Sequence, residues 1–118
     1  MTAGAWAAAW GVAGGVLLVY ALWVLYLAVM NLKRAKDAGT LRPWAKRLGA
    51  PVLLVGYLLD VLANLIVFTV LLAERPREWL VTDRLKRHKL GTGWRATVAQ
   101  WFCRDLLDTF DPSGCHCD

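Results

Sequence analysis

Charged side chains are missing from residues 1–32, and residues 48–73 contain only one, Asp60. A chain of 118 residues has too small an interior to hide two such stretches in a soluble domain. Their length suits membrane-crossing helices. Cysteine is scarce and confined to the end of the chain, at Cys103, Cys115 and Cys117. A disulfide-stapled secreted scaffold is therefore excluded. Acidic residues are outnumbered nine to fourteen, giving a net charge of +5, yet the basic residues lie outside the apolar runs. Their first reading is contact with anionic lipid headgroups. No nucleic-acid recognition motif accompanies them, so no nucleic acid is expected as a partner. No catalytic triad motif, phosphate loop or metalloprotease pattern is present. The chain reads as a non-enzyme without cofactor.

What remains is an all-α membrane protein: a two-helix transmembrane hairpin with an amphipathic helical C-terminal tail. The first helix falls in residues 1–32. Its apolar part, residues 5–32, makes about 42 Å of helix, longer than a hydrocarbon core of about 30 Å. It carries no basic leading segment, which reads as a retained anchor rather than a cleaved signal. A basic connection follows over residues 33–50, with Thr40 and Pro43 as a helix-start signal. The second helix falls in residues 51–73, entered at Pro51 and ended by Glu74, Arg75 and Pro76. The tail is residues 74–118. It holds a short basic helix, a break at Gly91–Thr92–Gly93, an amphipathic stretch, and a turn at Asp111–Pro112–Ser113–Gly114.

Charge does not orient this hairpin cleanly. The connection has six Lys and Arg residues, and residues 74–89 also have six. The positive-inside rule acts on such differences, and here there is none. The short connection favours a cytoplasmic placement with both termini outside. The reverse hairpin is the alternative. A third arrangement keeps both basic segments on one side, with the second helix dipping in and returning.

Four groups of residues are candidates for function. Ala3, Ala7, Gly11 and Gly15 recur every fourth position, which lets helix backbones approach closely in lipid. They read as a self-association face, or as the seat of the second helix. Asp60 and Asn64 share a helical face with Gly56, and Tyr57 is adjacent. An intramembrane Asp needs a partner. The options are a polar bond that locks the hairpin, a contact with another subunit, or proton passage. In the tail, Arg84, Lys86, Arg87 and Lys89 precede an apolar face of Trp101, Phe102, Leu106 and Phe110. That combination fits a helix lying on a membrane surface or docking a partner. Finally, Cys103, Cys115, His116 and Cys117 could be free thiols, a disulfide from Cys103 to Cys115 or Cys117, or metal ligands. Their near-consecutive spacing is poor for zinc.

The layout over residues 5–90 resembles two-helix holins, small inner-membrane proteins that build lesions for phage lysis. It equally resembles other small inner-membrane proteins of bacteria and their phages. The resemblance implies a bacterial inner membrane and a homo-oligomer or a membrane-protein partner. It implies an adaptor, regulatory or phage-exclusion role, or else lesion formation. The long tail ending in Cys115–His116–Cys117 and the strongly basic connection depart from the holin pattern.

Overall fold

The computed structural model describes residues 2–118, and every regular element among them is helical. Helix α1 spans Ala3–Asp37. Thr2 caps it, its Oγ1 accepting from the Ala5 amide at 3.1 Å. The helix runs five residues past the expected boundary at 32. Lys33, Arg34, Ala35 and Lys36 are good helix formers, and basic side chains suit the negative end of the helix dipole. Gly39 ends it at φ +71°, a conformation that favours glycine.

Helix α2 spans Pro43–Leu65 and begins at the Pro43 signal, eight residues before Pro51. The expected 18-residue connection is therefore a five-residue turn, residues 38–42. Pro51 lies inside the helix rather than at its entry. The two helices form an antiparallel hairpin. Gly49 meets Leu32, where a β-carbon would stand 2.8 Å from Leu32 Cδ1. Further along, Gly56 approaches Leu25 and Gly15 approaches Val67. Glycine at position 49 lets the Leu32 side chain lie directly against α2 at the turn end.

The second apolar segment is not one continuous helix. It breaks at Ile66 and resumes as α3, Val67–Leu71. The β-branched run Ile66, Val67, Thr69, Val70 has reduced helix propensity, so a break costs less here. Both long helices remain apolar enough to cross a membrane, over Ala3–Asp37 and Pro43–Leu71.

The tail does not extend away from the hairpin. It folds back as α4, Val81–Lys89, and α5, Trp94–Trp101. A wider π-helical stretch, Phe102–Leu107, and a short 3₁₀ turn, Asp108–Phe110, continue α5. The core lies between hairpin and tail. Ala63, Phe68 and Leu72 contribute from one side, and Val81, Leu85, Ala99, Cys103 and Cys117 from the other. Phe68 and Phe102 pack edge to face at 5.2 Å. The tail's last carbonyls are satisfied by α1. Trp23 Nε1 donates to Leu106 O at 2.9 Å and Tyr26 Oη donates to Leu107 O. Leu107 O also accepts from the Asp111 amide at 3.2 Å, using both of its lone pairs.

Part of the tail's apolar face therefore packs on the hairpin. Phe102 and Leu106 are part-buried, and Phe110 lies edge-on to Trp23 at 5.9 Å. Trp101 stays outside, packed on Phe102. Removing the ring that joins the halves, by Phe68→Ala, should cost about 3–5 kcal/mol. Thermal unfolding in mild detergent should register this as a lower midpoint, with earlier proteolysis at residues 91–93.

Candidate functional site

The break at Ile66 creates the first polar centre. Where α2 stops, the Asn64 carbonyl loses its helical partner. Arg84 of α4 reaches it, with Nη1 donating at 2.7 Å. The same nitrogen lies 3.2 Å from Thr69 Oγ1. Nη2 donates to Glu74 O at 3.0 Å, and Nε donates to Glu74 Oε1 at 3.2 Å. This guanidinium has no solvent exposure. It was expected on a membrane surface or partner contact, and it is instead the most deeply buried charge in the chain. Burying a charge is costly unless it is paired and hydrogen-bonded, and here all three nitrogens are engaged.

Around Arg84 the charges balance. Glu74 also holds Arg87 at 2.7 Å and His88 at 2.5 Å. Arg87 bonds Glu78 as well. Burial opposes the Glu74 charge, but hydrogen bonds from His88, Arg87 and Arg84 outweigh it and bring the carboxyl from 4.5 down to about 2. Lys89 pairs with Asp118, and only Lys86 among the four expected surface basics stands exposed without an ion pair among the described residues. Arg95 caps the end of α3, donating to Leu72 O at 2.7 Å.

Asp60 and Asn64 do share a face, as their spacing predicts, and that face is turned to the tail. Asp60 Oδ1 accepts from the Val81 amide at 2.8 Å, so a side chain of α2 caps the N-terminus of α4. Asn64 Nδ2 donates to Glu78 O. The polar partner sought in the hairpin or a second subunit is thus the chain's own tail. Gly56 contacts α1, while Tyr57 points outward and joins neither.

The second centre closes the chain's end. Asp111 Oδ1 accepts from Lys33 Nζ at 3.1 Å, and from Ser113 N and Oγ at 2.9 and 2.8 Å. Burial works against its charge, yet these bonds and one from His116 hold the carboxyl well below the usual range. His116 bridges Asp111 Oδ2 at 2.9 Å and Thr82 Oγ1 at 3.1 Å. The turn expected at residues 111–114 is formed, with Gly114 at φ +76°.

Asp111, His116 and Thr82 stand in the order of an acid–base–nucleophile relay. Thr82 and His116 line a cavity of about 80 Å³ between hairpin and tail, with apolar walls that include Trp23, Phe68 and Phe102. That volume holds a few waters and little more. Asp60 lines the same cavity, and its carboxylate would oppose the oxyanion of an acyl transfer. The arrangement is suited to clipping residues 111–117 onto α4 and α1.

Of the cysteine readings, the structure takes the disulfide, Cys103–Cys117, closing a loop over that turn. Cys115 is free and exposed. Among the described residues no group of three or more His, Cys, Asp or Glu side chains is placed to hold a metal. Ala3, Ala7 and Gly11 lie on a stretch of α1 that no other element covers, and only Gly15 of that stripe meets the hairpin partner. Glu74, Glu78, Thr82, Arg95 and Asp111 were not singled out from sequence. Glu74 was visible only as a helix terminator, although it stands ten residues before Arg84 with opposite charge.

Arg84→Ala removes the buried donor shared by Glu74 and the Asn64 carbonyl, leaving them Arg87, His88 and the Thr69 hydroxyl, and should cost about 1–3 kcal/mol. Calorimetry in detergent should show the loss, with Arg84→Lys recovering only part. The depressed Glu74 carboxyl contributes stability that is fully present above pH 4.5 and lost as pH falls toward about 2. Unfolding midpoints measured across that window should fall with acid, and Glu74→Gln should flatten the slope. No protein-family model, curated protein or solved structure matches this chain.

Proposed function

We propose that this chain is a small integral membrane protein that works by helix association, with a second copy of itself or with another membrane protein. The tail acts in this reading as a folded cap on the hairpin, not as a free arm. A bacterial inner membrane is the setting that the two-helix layout implies.

One observation carries the reading. Residues 3–14 of α1 project beyond the hairpin contact, exposed all round. Trp10 is 72% exposed, and nothing lies within 4 Å of a β-carbon built at Gly11. Twelve residues without charge, with small side chains every fourth position, favour close helix packing in lipid, where packing replaces the hydrophobic drive. A second copy brings the same uncharged arm, and the two approach without repulsion. A two-fold pair is the simplest closed assembly.

The polar atoms of the second helix speak against pore or proton-passing roles. Asp60 is engaged with Val81, and Asn64 with Glu78 and Arg84. A lesion-former needs such groups to face water, and a proton path needs more than one carboxylate. The adaptor or regulatory reading is therefore preferred to the holin-like one.

The test is direct. The protein should resist carbonate extraction from membranes. Cross-linking in mild detergent should give a dimer or a co-purified membrane protein. Gly11→Leu should weaken that association about tenfold, or about 1.4 kcal/mol, without moving the unfolding midpoint. Unchanged assembly in Gly11→Leu and Ala7→Leu would remove the arm from the proposal.

A further inference from the structure

Resting on the membrane reading above, we propose that the hairpin does not cross the bilayer but lies in one leaflet, apolar face in the acyl chains, with its connection and its tail at the same surface. The partner of this face is lipid.

The argument begins with depth. Arg104 and Asp105 adjoin Leu106, which is bonded to Trp23 in the charge-free part of α1. Both are exposed, on the outer side of the tail. Asp83 and Lys86, also exposed, sit on α4, whose first residue is bonded to Asp60 in the middle of the second apolar segment. If the hairpin stood upright with its tail docked, these four charges would face hydrocarbon near mid-bilayer. Exposed charges there are rare, and they turn to water or protein. The docked tail and the upright hairpin are incompatible in lipid.

The molecule's two faces fit the other orientation. Away from the tail, the hairpin exposes Leu17, Leu53, Leu54, Leu58 and Leu62. Its polar side chains Asp60 and Asn64 turn to the tail instead. The molecule measures 54 × 34 × 22 Å, with these exposed leucines on the hairpin and the exposed charges Asp83, Lys86, Arg104 and Asp105 on the tail. Its 22 Å dimension exceeds one leaflet, about half of a hydrocarbon core of about 30 Å, so the tail side stands in the headgroup layer.

Charge counting agrees. Residues 33–47 and 74–89 each carry six Lys and Arg residues. A spanning hairpin puts these segments on opposite sides and leaves no bias to set its direction. A one-sided hairpin puts both segments at one surface, where the basic residues that stay exposed, Lys86 among them, favour anionic headgroups. Lys33, near the end of α1, and Asp111 of the tail are in contact at 3.1 Å, so the chain's end reaches the connection end of the hairpin.

The experiment uses the full chain in sealed membrane vesicles of both orientations. A membrane-impermeant maleimide is applied without reductant, and the modified residue is read by peptide mass. Cys115 reports on the tail. Ala38→Cys and Ala45→Cys, each in a Cys115→Ser background, report on the connection; all three positions are exposed. The expected result is labelling of tail and connection from the same side, and loss of both from the other. Labelling from opposite sides overturns the proposal. So does protection of the connection from both sides with a labelled tail. Extraction by carbonate would instead overturn the membrane reading itself, so the two failures are separable.

Discussion

A guanidinium held inside a broken apolar helix is the constraint on which the tail's position depends. Breaking α2 at Ile66 frees the Asn64 carbonyl, which the Thr69 hydroxyl at 3.2 Å satisfies only in part. Arg84 supplies the donor, and its own charge then requires Glu74. Glu74 sits just beyond α3, so α3, the following loop and α4 are fixed together. With α4 placed, Val81 reaches Asp60, Leu85 reaches the core, and α5 follows along the hairpin. Substituting apolar groups for the whole set could be neutral or stabilising. What the ionic set provides is position: only one register brings Arg84 to both Asn64 and Glu74.

The two polar centres divide the work between them. The Arg84 centre joins tail to α2 and α3. The Asp111 centre joins the chain's end to α1 and α4 through Lys33, His116 and Thr82. Between them lies the apolar layer of Phe68 and Phe102. The disulfide Cys103–Cys117 ties the end of the chain back to that layer, so residues 111–117 cannot leave without α5.

Much of this was legible in the sequence and some was not, for identifiable reasons. Two uncharged runs announced two long helices. Thr40 and Pro43 marked a helix start, and Asp111 to Gly114 marked the loop over which the cysteines pair. The shared face of Asp60 and Asn64 followed from their four-residue spacing. The destination of the tail did not follow. Trp101, Phe102, Leu106 and Phe110 fall at helical spacing, and that period is the same whether the face meets lipid or protein. Arg84 was one basic residue among several, and nothing local distinguishes it from Lys86. Its role depends on a break at Ile66 that contains neither glycine nor proline. The length of the connection was overestimated because basic residues were read as loop, although lysine and arginine propagate helices well.

The bond from Asp60 to Val81 also sets an order of events at the ribosome. Val81 is made twenty-one residues after Asp60. At about 5–20 residues per second, that is a delay of roughly one to four seconds. Through that interval the Asp60 carboxyl and the Asn64 amide lack their partners in the tail. In the membrane setting proposed above, the insertion penalty of an Asp, about 2.5–3.5 kcal/mol, falls in this window. The chain then passes through a state less stable than its finished form, and docking of the tail is the step that ends it.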